Sequence, residues 1–280
     1  MRVFPSLLVF SHFFGHVQPF SRCQSGEPQF PGSIPLSDAK VEVMAVMQKQ
    51  TGQKSASEAV VGVPSCCLCR HGFPQAVSMN PVTARGETFR LNSGLLKLTC
   101  PNLVRACDDL EDEGAMKHHF NLKLAEDPAW REAAAAAHNV HSRNRILLLR
   151  DEDREVVRAR LGDAGLRAFC EAGVAGSSSK TMLYDVKCLH AYLADYLFRG
   201  TVSYDVEHGE SFVPLSIGGE VLTILEARGL DVSGTSECYR NCDPSAEGGT
   251  TPPVPRNKSR LRSKKQAQAR FRRKHQEHSE

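Results

Sequence analysis

Apolar residues recur at helical or strand-like spacing between residues 56 and 232, and over the last fifty residues they almost vanish. That unevenness limits what the 280-residue chain can fold into. A segment with little apolar surface to bury cannot offset the entropy of ordering its backbone. The expectation is one folded domain with tails: a leader and linker over 1–36, a single domain over 37–232, and a disordered basic tail over 233–280.

The leader has Arg2 as its only charge in the first twenty residues, followed by an apolar run from Val3 to Val17 interrupted by Ser6, Ser11, His12 and His16. This pattern fits a signal peptide or the start of an organelle-targeting leader. It is too short and too polar to span a bilayer, and no later segment approaches eighteen apolar residues. No transmembrane segment is therefore expected in the mature protein. Residues 21–36 are rich in Pro, Gly and Ser and read as a linker.

Within the domain the periodicity alternates between strand and helix. A helix is predicted from a Ser37-Asp38 cap to Gly52. Strand-like stretches follow at Ala59–Val63, Cys66–Cys69, Gln75–Met79, Gly86–Arg90 and Leu95–Thr99, with a turn at Arg70-His71-Gly72-Phe73. Pro101 opens the next helix, where its missing N–H costs nothing, and Gly114 ends it. Asp127-Pro128 repeats the start signal for a helix running to about Leu149, and Asp153 to Cys170 forms another through Val156, Val157, Leu161 and Leu166. The last clear helix is placed at Leu183–Phe198, with Val186, Leu189, His190, Leu193 and Leu197 on one face. Phe212–Ile217 and Val221–Leu225 read as a hairpin or as a strand and a short helix. The fold class is α+β, a small antiparallel sheet packed by several helices.

Ten cysteines are many for this length, and Cys66, Cys67 and Cys69 crowd into four residues. A disulfide framework spreads its cysteines along the chain, so thiols that are buried or bind metal, in a reducing compartment, are the expected state. Cys69 precedes a tight His-Gly turn, like a ligand on a zinc knuckle, and Cys66, Cys67 or His71 are its nearest candidate partners. A second Cys-x-x-Cys, which a zinc ribbon would need, does not occur. Cys100 stands at a helix start, where free N–H groups and the helix dipole lower a thiol pKa and suit a metal ligand or a nucleophile. Cys188 and His190, two residues apart, point roughly 200° from each other on a regular helix. They can share a metal only if the helix begins at or after Cys188.

Five motifs in order, from Val61 to Arg199, carry a resemblance. They are Cys69-Arg70-His71-Gly72-Phe73-Pro74; Leu98-Thr99-Cys100-Pro101 with Leu103 and Leu110-Glu111-Asp112-Glu113-Gly114; Leu124-Ala125-Glu126-Asp127-Pro128 with Ala136-Ala137-His138; Gly173-Val174-Ala175-Gly176; and Val186-Lys187-Cys188-Leu189-His190-Ala191. Together they resemble domain-of-unknown-function family 501, known mainly from bacteria, over about residues 61–199. The resemblance implies no particular activity. The family's last motif usually reads Cys-Leu-His-Ala-His, and Tyr192, a poor metal ligand, replaces its second histidine.

These readings converge on a Cys/His-bearing structural or metal-binding domain. Cys69, Cys100, Cys188 and His190 are the candidate metal ligands, with Cys66 as a further one and zinc as the candidate ion. Cys69, Cys100 and His190 are expected to meet, with Cys188 at the edge. The alternatives are a thiol-dependent enzyme with Cys100 as nucleophile and His190 as base, and an RNA-associated protein acting through its tail. Lys187 is a weaker candidate for anion binding with the Gly173–Ser179 loop. That loop lacks the Gly-Lys-Ser/Thr ending of a phosphate loop, and no Gly-x-Ser-x-Gly, His-Glu-x-x-His or dinucleotide fingerprint occurs. Glu111, Asp112 and Glu113 read as a solvated helix end.

The net charge of +3 hides an asymmetry. Residues 251–280 hold ten of the 35 Lys and Arg but two of the 32 Asp and Glu, so they carry +8 and the rest of the chain −5. The tail is thus the part suited to weak binding of nucleic acid or another anionic surface without sequence preference. Retention of the full chain on immobilised RNA should fall steeply between low and physiological salt and disappear on deletion of 251–280. A flat salt response would exclude electrostatic binding.

Overall fold

A computed structural model of the chain describes residues 29–39, 41–52, 59–65, 69–85, 88–177, 185–199, 202–205, 209–212 and 215–247. The leader up to residue 28, Cys66, Cys67 and the basic tail from 248 lie outside them.

Strands β1 (Ser33–Pro35), β2 (Val60–Pro64), β3 (Ala76–Met79) and β6 (Leu96–Leu98) form an antiparallel sheet in the order β1-β2-β3-β6. Strands β4 (Val82–Arg85) and β5 (Thr88–Leu91) make a separate hairpin, as do β7 (Val202–Asp205) and β8 (Gly209–Phe212). Side chains alternate across the central strand as the pleat requires. Val77 and Met79 meet Val43 and Met47 of α1 (Val43–Thr51), while Ala76 faces the main core with Leu96, Leu98 and Leu193. The α+β class read from the sequence is the fold observed.

The main core collects α2 (Pro101–Asp112), α3 (Asn121–Glu126), α4 (Pro128–Leu148), α6 (Leu189–Arg199) and α7 (Ile217–Ala227). Pro101 is the first residue of α2, and Asp127 caps α4 by accepting the Ala129 N–H at 2.9 Å. Leu189, Leu193 and Leu197 are buried on α6, each contributing about 1.5–3 kcal/mol by leaving water. Gly218 lets α7 come close to α6: a Cβ there would stand 2.0 Å from the Tyr192 carbonyl oxygen.

Several boundaries differ from the sequence reading. Ser33–Pro35 is a strand paired with β2, and the neighbouring Phe30 is buried against His141 and Phe198, so the domain begins inside the expected linker. Residues 233–247 are ordered, because they fold back over the Cys69 turn. α5 (Asp151–Cys170) breaks at Gly162, with φ 71° and ψ 176°, and the break shifts the helical phase. Val157 before the break and Leu166 after it are both buried, while Val156 and Leu161 are exposed.

Two polar groups are sealed in the interface of α4. Asp195 on α6 is fully buried; it accepts from His141 at 2.9 Å and pairs with Arg199. Burial opposes its ionisation, but Arg199 and His141 more than reverse that and hold the carboxyl well below the usual range. Arg145, also fully buried, donates to the carbonyls of Asn92 at 2.8 Å, Ser93 at 2.7 Å and Ala172 at 3.3 Å, and its guanidinium lies over Phe169. Desolvation lowers its pKa to about 10, so it stays charged at neutral pH. Arg145→Met should destabilise the domain by at least ~3 kcal/mol in denaturant unfolding, because three carbonyls lose their donor. Arg145→Lys should recover only part of that, since an ammonium cannot reproduce the planar fork.

Candidate functional site

The two ends of α2 carry the chemistry. At its C-terminal end, Glu111 reaches the segment that begins α6. Its carboxylate accepts the Leu189 N–H at 2.7 Å and lies 3.1 Å from His190 Nδ1. Cys188 Sγ is 3.7 Å from the same Nδ1. The helix starts at Leu189, so Cys188 lies just before it and the opposed directions of a regular helix do not apply. One donor atom each from Glu111, Cys188 and His190 lies within 4.8 Å of the other two.

The far nitrogen of His190 is occupied: Nε2–H donates to the Val104 carbonyl at 3.1 Å, with Asp108 at 3.5 Å. His190 is a fifth exposed and Glu111 a tenth, so the cluster is shielded but not closed. Burial works against a charged imidazole here. Hydrogen bonds to Cys188 and Glu111 nevertheless outweigh it and raise the His190 pKa to about 10. For Glu111 too, burial raises the pKa and the bond to His190 more than reverses it, so the carboxyl titrates below its ordinary value. Glu111 thus clasps a protonated imidazole on His190. Cys107, fully buried beside them, has its thiol pushed far up by the same desolvation, with Glu111 and Cys188 adding to it.

At the N-terminal end of α2, Cys100 lines a small buried pocket with Cys69, Cys238 and Cys242. Burial raises the Cys100 pKa, and the N–H groups of Asn102 and Leu103 offset only part of the rise. The lowered thiol expected from the helix start therefore does not appear: losing water outweighs a few aligned dipoles.

The predicted site residues thus fall into two groups. Cys69 and Cys100 come together, and so do Cys188 and His190, but at opposite ends of a twelve-residue helix about 16 Å apart along its axis. His190 meets Cys188 and Glu111 where the sequence reading paired it with Cys100. Its ring leaves the buried stripe of Leu189, Leu193 and Leu197 because the carboxylates of α2 draw it sideways. Lys187 is exposed, and the N–H groups of Gly173, Val174, Gly176 and Ser177 are all used internally, so no anion cradle forms among the described residues. Cys66 and the basic tail lie outside the described residues.

Glu111 is the member that sequence reasoning missed, since three consecutive acids look solvated. Its membership in the Leu110-Glu111 motif was the available signal. Tyr192, in place of the family's second histidine, is buried and bonds His138 Nε2 at 3.2 Å. His138 Nδ1 accepts the Val174 N–H at 3.0 Å, so the neutral Nε2–H tautomer serves both partners. A groove of about 610 Å³ runs between α2 and α7 past Asp109, Asp112 and Arg228 and is lined by none of the thiols and histidines named above.

An α+β domain with Cys69 and Cys100 at one end of α2 and Cys188 and His190 at the other is the class that fold and site define. Residues 65–205 match the family described as a protein of unknown function, DUF501, and the chain belongs to that family. No curated protein and no solved structure matches the chain. No helix among the described residues is long and apolar enough to cross a membrane.

Desolvation lowers the His138 pKa to about 4, with His141 adding to the effect. A histidine whose folded pKa lies below its unfolded value stabilises the neutral fold fully above the unfolded pKa of about 6.5, and that stability is lost as pH falls towards 4. This group should contribute a loss of up to ~3 kcal/mol across that window. His138→Gln, which keeps an acceptor for Val174, should give a visibly shallower fall of Tm with acid; an unchanged slope would place the sensitivity elsewhere.

Proposed function

We propose that this is a metal-binding domain that holds a zinc ion through Glu111, Cys188 and His190. One observation carries the reading: three chemically different donors converge within 4.8 Å. Their geometry also suits a metal, because the carbonyl of Val104 takes the Nε2–H of His190 and leaves Nδ1 turned towards Glu111 and Cys188. A metal-bound histidine is commonly held in this way, with its second nitrogen donating to a carbonyl. Sulfur, nitrogen and carboxylate oxygen together suit zinc, which takes all three. Three protein donors and partial exposure leave a fourth position for water or a small ligand.

The thiol-enzyme alternative loses the pair on which it was built, since His190 does not face Cys100. A Cys188–His190 pair is not an ordinary nucleophile–base–orienter relay either. Glu111 and Cys188 share one ring nitrogen, whereas a relay needs them on opposite ones.

Protein purified without chelators should contain zinc. His190→Ala and Glu111→Gln should each lower the affinity of this site at least tenfold against a chromophoric chelator. Equal metal retention in wild type and both variants would falsify the assignment and leave the cluster as a hydrogen-bonded anchor for the start of α6.

A further inference from the structure

We propose that Cys69, Cys100, Cys238 and Cys242 form a second, closed site for one zinc ion, and that this ion staples residues 231–247 onto the end of the sheet. Four free thiols from three distant parts of the chain line one cavity of about 10 Å³. That is room for a single small species; no three of the four sulfurs lie within 4.8 Å of one another, so an ion bonded to all four at about 2.3 Å draws them inwards. All-sulfur, fully enclosed coordination is the pattern of structural zinc sites.

Each thiol is presented by a backbone feature that fits a ligand. Cys69 opens a tight turn closed by the Gly72 N–H on the Cys69 carbonyl at 2.8 Å. Cys100 is the N-cap residue of α2, where the Asn102 and Leu103 N–H groups favour the thiolate form of its sulfur. Cys238 begins the 3-10 turn Cys238–Asn241, and Cys242 follows it after three intervening residues. Gln50 Nε2 donates to Cys242 Sγ at 3.3 Å. Such donors stabilise metal-bound sulfur and orient it. At Gly234, with φ +93°, a Cβ would stand 2.6 Å from Cys238 Sγ, so the chain passes over the site with no side chain in the way.

The ordering of the segment is the second reason. Between 233 and 247 the buried residues are Gly234, Cys238 and Cys242, with no aliphatic anchor among them. Polar ties exist: Arg70 N–H donates to the Ser233 carbonyl at 2.8 Å, His71 Nε2 lies 2.8 Å from the Thr235 carbonyl, and Lys49 reaches the Ala246 carbonyl at 3.1 Å. Bonds near the surface contribute little net stability, whereas a metal held by four thiolates supplies folding free energy directly. Binding replaces four S–H protons by one divalent ion and releases the protons to solvent. This site is independent of the one at Glu111, and both can be filled at once.

Elemental analysis and cobalt substitution on the full chain test the proposal. Wild type should hold one zinc more than the Cys238→Ser/Cys242→Ser double variant. Its cobalt form should show the strong thiolate-to-cobalt charge-transfer band of tetrahedral sulfur coordination, and the double variant should lose it. His190→Ala should leave that band intact, which separates failure here from failure at Glu111. Should the double variant not fold, wild type alone suffices: a strong chelator should release zinc and expose the bond after Arg240 to trypsin while the core over 69–199 resists. Equal zinc in wild type and double variant, a Cys238–Cys242 disulfide in the metal-free protein, or cleavage after Arg240 that ignores the chelator would each overturn the proposal.

Discussion

Asp195 is a carboxylate kept from water between α4 and α6, and its bonds to His141 and Arg199 tie the two helices together. An unpaired buried carboxylate would cost several kcal/mol. Arg199, one turn along α6, and His141, from α4, supply the compensation, so the two helices meet in one register. Tyr192 and His138 repeat the contact one turn away. With α6 held there, its first residue reaches the end of α2, and Cys188 and His190 arrive beside Glu111. A polar seam of this kind specifies geometry more sharply than leucine packing, because hydrogen bonds tolerate little displacement.

α2 then acts as a spacer between two chemically different environments. At its start the cysteines are enclosed, and burial raises the pKa of Cys100, Cys238 and Cys242. At its end the groups are mixed and partly wet, with an imidazolium clasped by a carboxylate. The first cluster is enclosed, whereas at the second His190 is a fifth exposed. Arg145 supports both indirectly, since it fixes the loop before β6, and β6 runs into Cys100.

Local rules made much of this legible beforehand. Pro101 after Cys100, the Asp127-Pro128 cap and the alternation around Val77 each reflect interactions within a few residues, and all three elements stand where they were expected. Cys69, Cys100, Cys188 and His190 lie in two groups where the sequence reading expected one. Glu111 looked like one of three solvated acids, and its bond to the Leu189 N–H has no trace in local pattern. Cys238 and Cys242 sat in a polar stretch whose composition argued for disorder, since the buried residues between 233 and 247 are Gly234, Cys238 and Cys242 and none is aliphatic.

The sequence by itself determined the family, the α+β class, the starts of α2 and α4 and the concentration of thiols and histidines in a few motifs. Capping, proline placement and hydrophobic period act over one or two turns and are written directly in the order of residues. Tertiary structure alone decided which thiols meet. Residues 69, 100, 238 and 242 are brought together by a chain reversal after α7, and no periodicity records the direction in which that segment turns. It likewise decided that α6 starts at Leu189 and not six residues earlier, and that start frees Cys188 to lie on the same side as His190.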